Sequence, residues 1–484
     1  MVSFDILASR YACLVVDLAT RQTRQHQRAP LLPPWPRGTK PRRRTELGLL
    51  IFGALITVAL YVIAEVGTKG KIPPHIGPIL GVVFAIVLAA HLANRWLAPN
   101  ANAVVLPLAA LLNGIGYVEI VRWNPADAKL QATWAALGVA LYVITLLVIR
   151  RSRDLDRYRY LLLLLAVLLL VSPLVPGIGK NVYGARLFVG IGNTFEFQPV
   201  ELAKIVLCIF FASYFAEKKE LLSIPTARVG NRLFLDPRPM LPIAIAWLFA
   251  MGVIGLENDI GFAMLIFTMF IALLWVTTGR VAYLVLAVVL FVAGAVVASH
   301  LFSQVHERIS IWLDPWSTQN SAVGGYQLAQ GWYSMGSGGI GGAGLGLDHF
   351  ASYVPFLTSD MIFAAIGTDL GLLGTSAVVI AFTLLIGAGL RIAQTARSDF
   401  SKLTATGLTA ILGFQAFFIM AGVVRLLPFT GITLPFVAYG GSSLLANYIL
   451  IAVLMRVSEE GASTVAERAS GVFHPGETTF VPAN

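Results

Sequence analysis

The chain has 484 residues, 57% of them hydrophobic and only 12% charged, and its mean hydropathy is +0.77. Soluble domains carry about 25% charged residues, so the composition excludes a soluble globular protein and points to one embedded in a membrane. Two cysteines, Cys13 and Cys208, exclude a disulfide framework. The net charge of +10 is unevenly spread. Nine Lys or Arg against two Asp precede Thr45, ending in "KPRRR" (Lys40 to Arg44) just before the first apolar run. That tail reads as a topology determinant touching anionic headgroups, and nothing supports a nucleic-acid arm.

A membrane-spanning helix needs about 20 mostly apolar residues. Twelve segments qualify as candidates: 47–65, 76–97, 103–121, 132–150, 158–177, 199–216, 239–258, 260–279, 281–302, 360–390, 404–424 and 441–456. The predicted fold class is therefore an all-α polytopic membrane protein of about twelve spans. No stretch has the build of a cleavable signal peptide, so the first apolar run is expected to serve as insertion signal and anchor. Lys and Arg in the short loops set orientation. "RRSRDLDRYR" (150–159), "EKKELLSIPTARVGNRLFLDPRP" (217–239) and "RIAQTARSDFSK" (391–402) alternate correctly with the basic tail. These loops and both termini are placed in the cytoplasm, and the intervening loops outside. The predicted organisation is a basic tail (1–45), two N-terminal spans (46–102), a core (103–456) and a C-terminal tail (457–484), with both tails lacking fixed structure.

One outer loop is long, 303–359. It contains "GGYQLAQGWYSMGSGGIGGAGLGLD", too apolar for a linker, and is expected to fold onto the outer face. Its "GSGGIG" meets the G-x-G-x-x-G pattern, but no strand precedes it and no βαβ unit contains it, so it is not a dinucleotide fingerprint. No Walker A motif, HExxH or Cys/His cluster occurs, which leaves ATP-driven transport and a transition-metal site without support.

Ionisable residues in or at the ends of spans carry the functional signal, because such groups are costly in a bilayer. Glu201 and Lys204 open a helix in "FQPVELAKIVL". Asp259 lies at an outer apex in "LENDIG", and Asp360 opens a span in "FLTSDMIF". Arg425 stands at the outer end of another span, and Arg186 and Arg308 lie in outer loops. All gather at one depth. Each has a structural alternative: Glu201 and Lys204 could neutralise each other at i,i+3 spacing, and Asp259 and Asp360 could each cap a helix. Asp369 lies about 13 Å further along its helix than Asp360 and reads as a hydrogen-bonding residue of the bundle interior. A cluster of this kind suits an anionic, lipid-anchored substrate, with Arg and Lys on phosphates and a lone carboxylate as base.

At these residues the chain resembles the SEDS family (shape, elongation, division and sporulation), which comprises RodA and FtsW. The resemblance covers roughly Ala103 to Arg456. "FQPVELAK" is similar to the family's F-Q-P-x-E-x-A-K, and "NDIG" to its P-D-x-G. "RISIWLDP", "GGYQLAQ", "GSGGIGGAGLG" and "VPFLTSDMIFAAIGTDLG" match its successive outer-loop motifs, and "LLPFTGITLPFVAYGGSS" its last block. The chain departs from the pattern at Met361, Asp369, Glu257-Asn258 and Ala438, and its two extra N-terminal spans have no counterpart in the ten-span core.

The resemblance implies a peptidoglycan glycosyltransferase with a fold akin to the GT-C transferases, polymerising lipid II at the outer face of the bacterial cytoplasmic membrane. It leans toward elongation enzymes of the RodA type. It implies Asp360 as the catalytic base, and Glu201, Lys204, Asp259, Arg186 and Arg308 as further functional positions. A divalent cation such as Mg²⁺ is the expected cofactor, with no organic one. The expected partner is a class B penicillin-binding protein, the transpeptidase that crosslinks the glycan. A lipid II flippase needs polar groups along a whole transmembrane path, and the charges here sit at one end. A scaffold that only recruits the transpeptidase needs no acid–base cluster.

Overall fold

The computed structural model describes residues 43–71, 76–182, 185–191, 195–223, 227–229, 232–234, 238–321 and 324–470. The basic tail up to residue 42, Cys13 and residues 471–484 lie outside the described residues. A helix stands at each of the twelve expected span positions. In chain order they begin with α1 (Arg43–Lys69), α2 (Ile76–Leu97), α3 (Val105–Trp123) and α4 (Pro125–Val148). The short α5 (Ser152–Arg157) leads into α6 (Arg159–Val171), α7 (Val200–Ser223), α8 (Leu241–Leu256), α9 (Ile260–Thr278) and α10 (Val281–Leu301). The long loop forms α11 (Ser303–Leu313), α12 (Thr318–Ser321) and α13 (Gly324–Gly338), followed by α14 (Ile362–Thr395), α15 (Asp399–Val423) and α16 (Gly441–Ser470). Among the described residues eight helices are long and apolar enough to cross a membrane: α1, α3, α4, α9, α10, α14, α15 and α16. Three shorter apolar helices lie within α2, α6 and α8.

α15 is the hub, packing on α14, α7 and α9. The N-terminal pair joins the core through α1 on α3 and α2 on α4. A buried polar cluster joins the start of α1 to the end of α2. Glu46 of α1 bonds His91 (3.1 Å) and Asn94 (3.2 Å) of α2, and the Tyr142 hydroxyl of α4 donates to Asn94. Buried polar groups of this kind are stable only when partnered. By contrast α10 is almost bare, with Val285, Val289, Phe291 and Val296 all exposed, as suits a helix facing lipid.

Three features were not expected from sequence. A three-stranded antiparallel meander, β1 (Gly179–Val182), β2 (Ala185–Ile191) and β3 (Phe195–Phe197), fills the connection before α7; Val189 pairs with both Gly179 and Phe197. A hairpin of β4 (Ala227–Val229) and β5 (Arg232–Phe234) follows α7. Strands this short carry too few alternations to register against apolar helices. Third, α16 does not end at Arg456 but continues to Ser470. Three charged residues at this extension are bonded: Glu460 accepts from Ser152 N at 2.5 Å, Glu459 from Asn100 Nδ2 at 2.9 Å, and Arg456 donates to carbonyls in the last turns of α2 and α4.

The long loop is folded, as its composition predicted. α13 packs along α14, and the glycine run after it lies against a break in that helix. Gly371 has φ 63° and ψ −159°, a backbone that only glycine adopts readily. The amides freed by the break are satisfied by the loop: Leu372 N donates to Gly339 O (3.0 Å) and Leu373 N to Ile340 O (3.1 Å). Within "GSGGIG" only Gly338 is required by close backbone packing, since a side chain there would strike Gly367 O, and Gly342 just after the motif is pressed in the same way against Asp369 O.

Candidate active site

Pro199 opens α7, and Glu201 falls in its first turn. Lys204 stands one turn on, and both side chains are fully buried. Lys204 Nζ donates to Glu201 Oε2 at 2.5 Å and to Gln415 Oε1 at 2.7 Å. Gln415 Nε2 then donates to Thr433 O at 2.9 Å. The pair neutralises itself, as the spacing allowed, and through Gln415 it also holds the loop that joins α15 to α16. Lys204 is spent on these contacts and not open to a phosphate.

Asp259 is the N-cap of α9, accepting from Phe262 N at 3.1 Å. Its capping alternative is therefore realised. The same buried carboxyl also lies in the fields of Arg308 and Glu201. Burial raises it to about 6, opposed by the Phe262 amide and the Arg308 guanidinium.

Asp360 is different. α14 begins at Ile362 with Met361 as N-cap and no side-chain cap bond, so Asp360 does not cap it. The residue is half-buried, yet protein surrounds its carboxyl closely enough for burial to push it up to about 7, with Arg308 and the Ser359 hydroxyl opposing. A side chain added at Gly431 would sit 3.7 Å from Asp360 Oδ2 and 3.6 Å from Arg308 Nη1. Gly431, at φ +69°, therefore leaves a gap that carboxylate and guanidinium both face. Arg308 Nη1 is aimed by Phe429 O, at 3.1 Å, from the same loop. Tyr439 N closes the loop onto Thr358 O at 2.8 Å, two residues before Asp360.

Arg186 is exposed on β2. Arg425 serves the outer loop, donating to Trp312 O (3.0 Å) and Leu313 O (2.7 Å). Asp369 is buried inside the bundle on α14, and its partner there is Arg122 of α3, with which it forms an ion pair. Among the described residues no three His, Cys, Asp or Glu side chains converge to hold a metal ion.

Sequence reasoning missed four participants. Gln415 is a lone amide in the apolar "ILGFQAFFIM", and Arg122 stands one turn after Glu119 in "GYVEIVRW" at the end of a span; each was visible as a polar residue in or beside an apolar segment. Gly431 carried no signal beyond its place in a turn-rich block. Glu257 is buried with neither carboxyl oxygen hydrogen-bonded to a described residue, and burial together with Asp259 raises it to about 8.

The fold and site define a multi-pass, all-α membrane protein with a carboxylate and a guanidinium facing one gap at the helix ends. The FtsW/RodA/SpoVE family model, described as cell cycle protein, matches residues 119–463. The chain belongs to that family. It is 36% identical over 448 residues to the peptidoglycan glycosyltransferase RodA of Mycobacterium tuberculosis, covering 90% of this chain and 94% of that one. Among solved structures, Thermus thermophilus RodA superposes with a TM-score of 0.53 at 24% identity, over 75% of this chain and 98% of that one. A chain from a structure titled "Structural coordination of polymerization and crosslinking by a peptidoglycan synthase complex" superposes with a TM-score of 0.59 at 24% identity, over 75% and 98%. These two likenesses bear on the fold.

Proposed function

We propose that this chain is a peptidoglycan glycosyltransferase that polymerises lipid II, with Asp360 as general base. The observation that carries the reading is Asp360 itself: it is free of the helix cap, held near neutrality by burial, and set across the Gly431 gap from Arg308. A base poised near the working pH gives the best proton-transfer efficiency. The 4-hydroxyl of the acceptor sugar attacks the anomeric carbon of the donor, and its proton passes to the Asp360 carboxylate. The bond from that carbon to the phosphate oxygen breaks, and undecaprenyl diphosphate leaves with the electron pair, inverting the centre. A glycosidase needs a second carboxyl to protonate its leaving group; a diphosphate leaves as an anion, so one suffices. Arg308 stabilises the charge that develops there. Arg186, exposed on the meander, is placed for the distal parts of the substrate. Lys204, Glu201 and Asp259 act behind the site, holding the 425–440 loop and the start of α9. A Mg²⁺ would be held by Asp360 together with substrate phosphates, since this ion binds through one or two carboxylates plus phosphates, and would supply further charge neutralisation.

All twelve long helices span the bilayer in this reading, ten of them forming a GT-C-like core behind two N-terminal spans. Both termini are cytoplasmic and Asp360 faces outside. The partner is a single-span class B penicillin-binding protein, whose outer domain meets the folded 303–359 loop. Elongation is the favoured duty, from the 36% identity to RodA over most of both chains. Purified protein with its transpeptidase, given lipid II, is expected to yield polymeric glycan. Translocation of lipid II without polymer would replace this reading with the flippase.

A further inference from the structure

A cavity of about 400 Å³ lies where α1 and α2 meet α3, α4 and α16, lined by none of the residues described around Asp360 and partly walled by the two helices that precede the family match. Its lining is mostly apolar, from Leu50 and Leu106 at one end to Tyr117 and Lys129 at the other. Along α3, Leu106 to Tyr117 is a run of about 16 Å, and the α4 lining from Lys129 to Val139 is about as long. The cavity is thus elongated along the helices. Apolar voids of this size are costly when left empty, and the bilayer is the ready source of a filling.

We propose that this cavity binds one acyl chain of an anionic phospholipid, with the Lys129 ammonium on its phosphate. Lys129 lines the cavity from the first turns of α4, is exposed, and makes no ion pair with a described residue. Alanines 54, 90, 110, 132 and 135 keep the walls low and leave a smooth apolar slot that suits an unbranched chain. An undecaprenyl chain, methyl-branched at every isoprene unit and several times longer than the slot, fits poorly. The proposal is independent of the glycosyltransferase reading.

The test is native mass spectrometry of the full chain after reconstitution in nanodiscs of mixed phosphatidylglycerol and phosphatidylcholine. Wild type is expected to retain one phosphatidylglycerol. Lys129→Gln should lower the ratio of retained phosphatidylglycerol to phosphatidylcholine about fivefold, the effect of one cation at a headgroup. Ala110→Phe should abolish retention by filling the slot. An unchanged ratio in Lys129→Gln, equal retention by Ala110→Phe, or a polyprenyl phosphate as the lipid carried through purification would each overturn the proposal. Should Ala110→Phe fail to accumulate, Lys129→Gln decides alone.

Discussion

Asp360→Asn separates chemistry from architecture, because the two effects have opposite signs. Burial raises the Asp360 carboxyl from 3.8 to about 7. At 1.36 kcal/mol per unit this is about 4 kcal/mol against ionisation within the fold, a ceiling for a half-buried side chain. The sign follows from proton binding: between pH 3.8 and about 7 the folded state holds the proton that the unfolded state has released. Wild type therefore loses stability as pH rises through that window. The amide carries no charge, so the variant escapes this loss. Met361, not Asp360, holds the cap position, and no capping bond is forfeited. Asp360→Asn should thus unfold at an equal or higher temperature than wild type at about pH 8. It should also bind the transpeptidase normally, yet lose about 10²–10⁴-fold in polymerisation, the usual worth of a general base. The assays are thermal unfolding in detergent and gel-resolved glycan from lipid II. Polymerisation at near wild-type rate, with the variant well folded, would refute the role assigned to Asp360.

The pH profile follows from the same group: kcat/KM should rise as pH increases through about 7, since only the carboxylate accepts a proton. A profile flat across that range would place the base elsewhere. Gly431→Ala forces a left-handed backbone that costs about 1–2 kcal/mol and sets a methyl between Asp360 and Arg308; a well-folded variant with full activity would show that the gap is not the reaction site. Lys204→Ala leaves Glu201 buried and unpaired, with a loss of about 3–5 kcal/mol, whereas Lys204→Met with Glu201→Leu should recover most of the stability, as read by thermal unfolding. Asp369→Asn should lower the unfolding temperature by breaking the pair with Arg122, yet keep far more activity than Asp360→Asn; equal losses of activity would join the two sites.

The sequence by itself determined the membrane class and the positions of the twelve helices that occupy its apolar segments. Hydrophobic length and charge placement are local properties, and the bilayer makes them decisive. It also marked Asp360, since an acid at the edge of an apolar run stands out from composition alone. What it could not decide was which of two equal roles each charge takes, because partners are set by packing. Asp259 and Asp360 look alike as acids before a helix, but only Asp259 caps one; the backbone ahead of α14 turns one residue later, at Met361. Lys204 reads equally as a phosphate-binding cation or as the ion-pair partner of Glu201 until Gln415, more than two hundred residues away in the chain, is seen to share it with Glu201. The gap over Gly431 belongs to neither Asp360 nor Arg308 in sequence. It exists because a loop anchored at Phe429, Thr433 and Tyr439 carries a residue without a side chain between them.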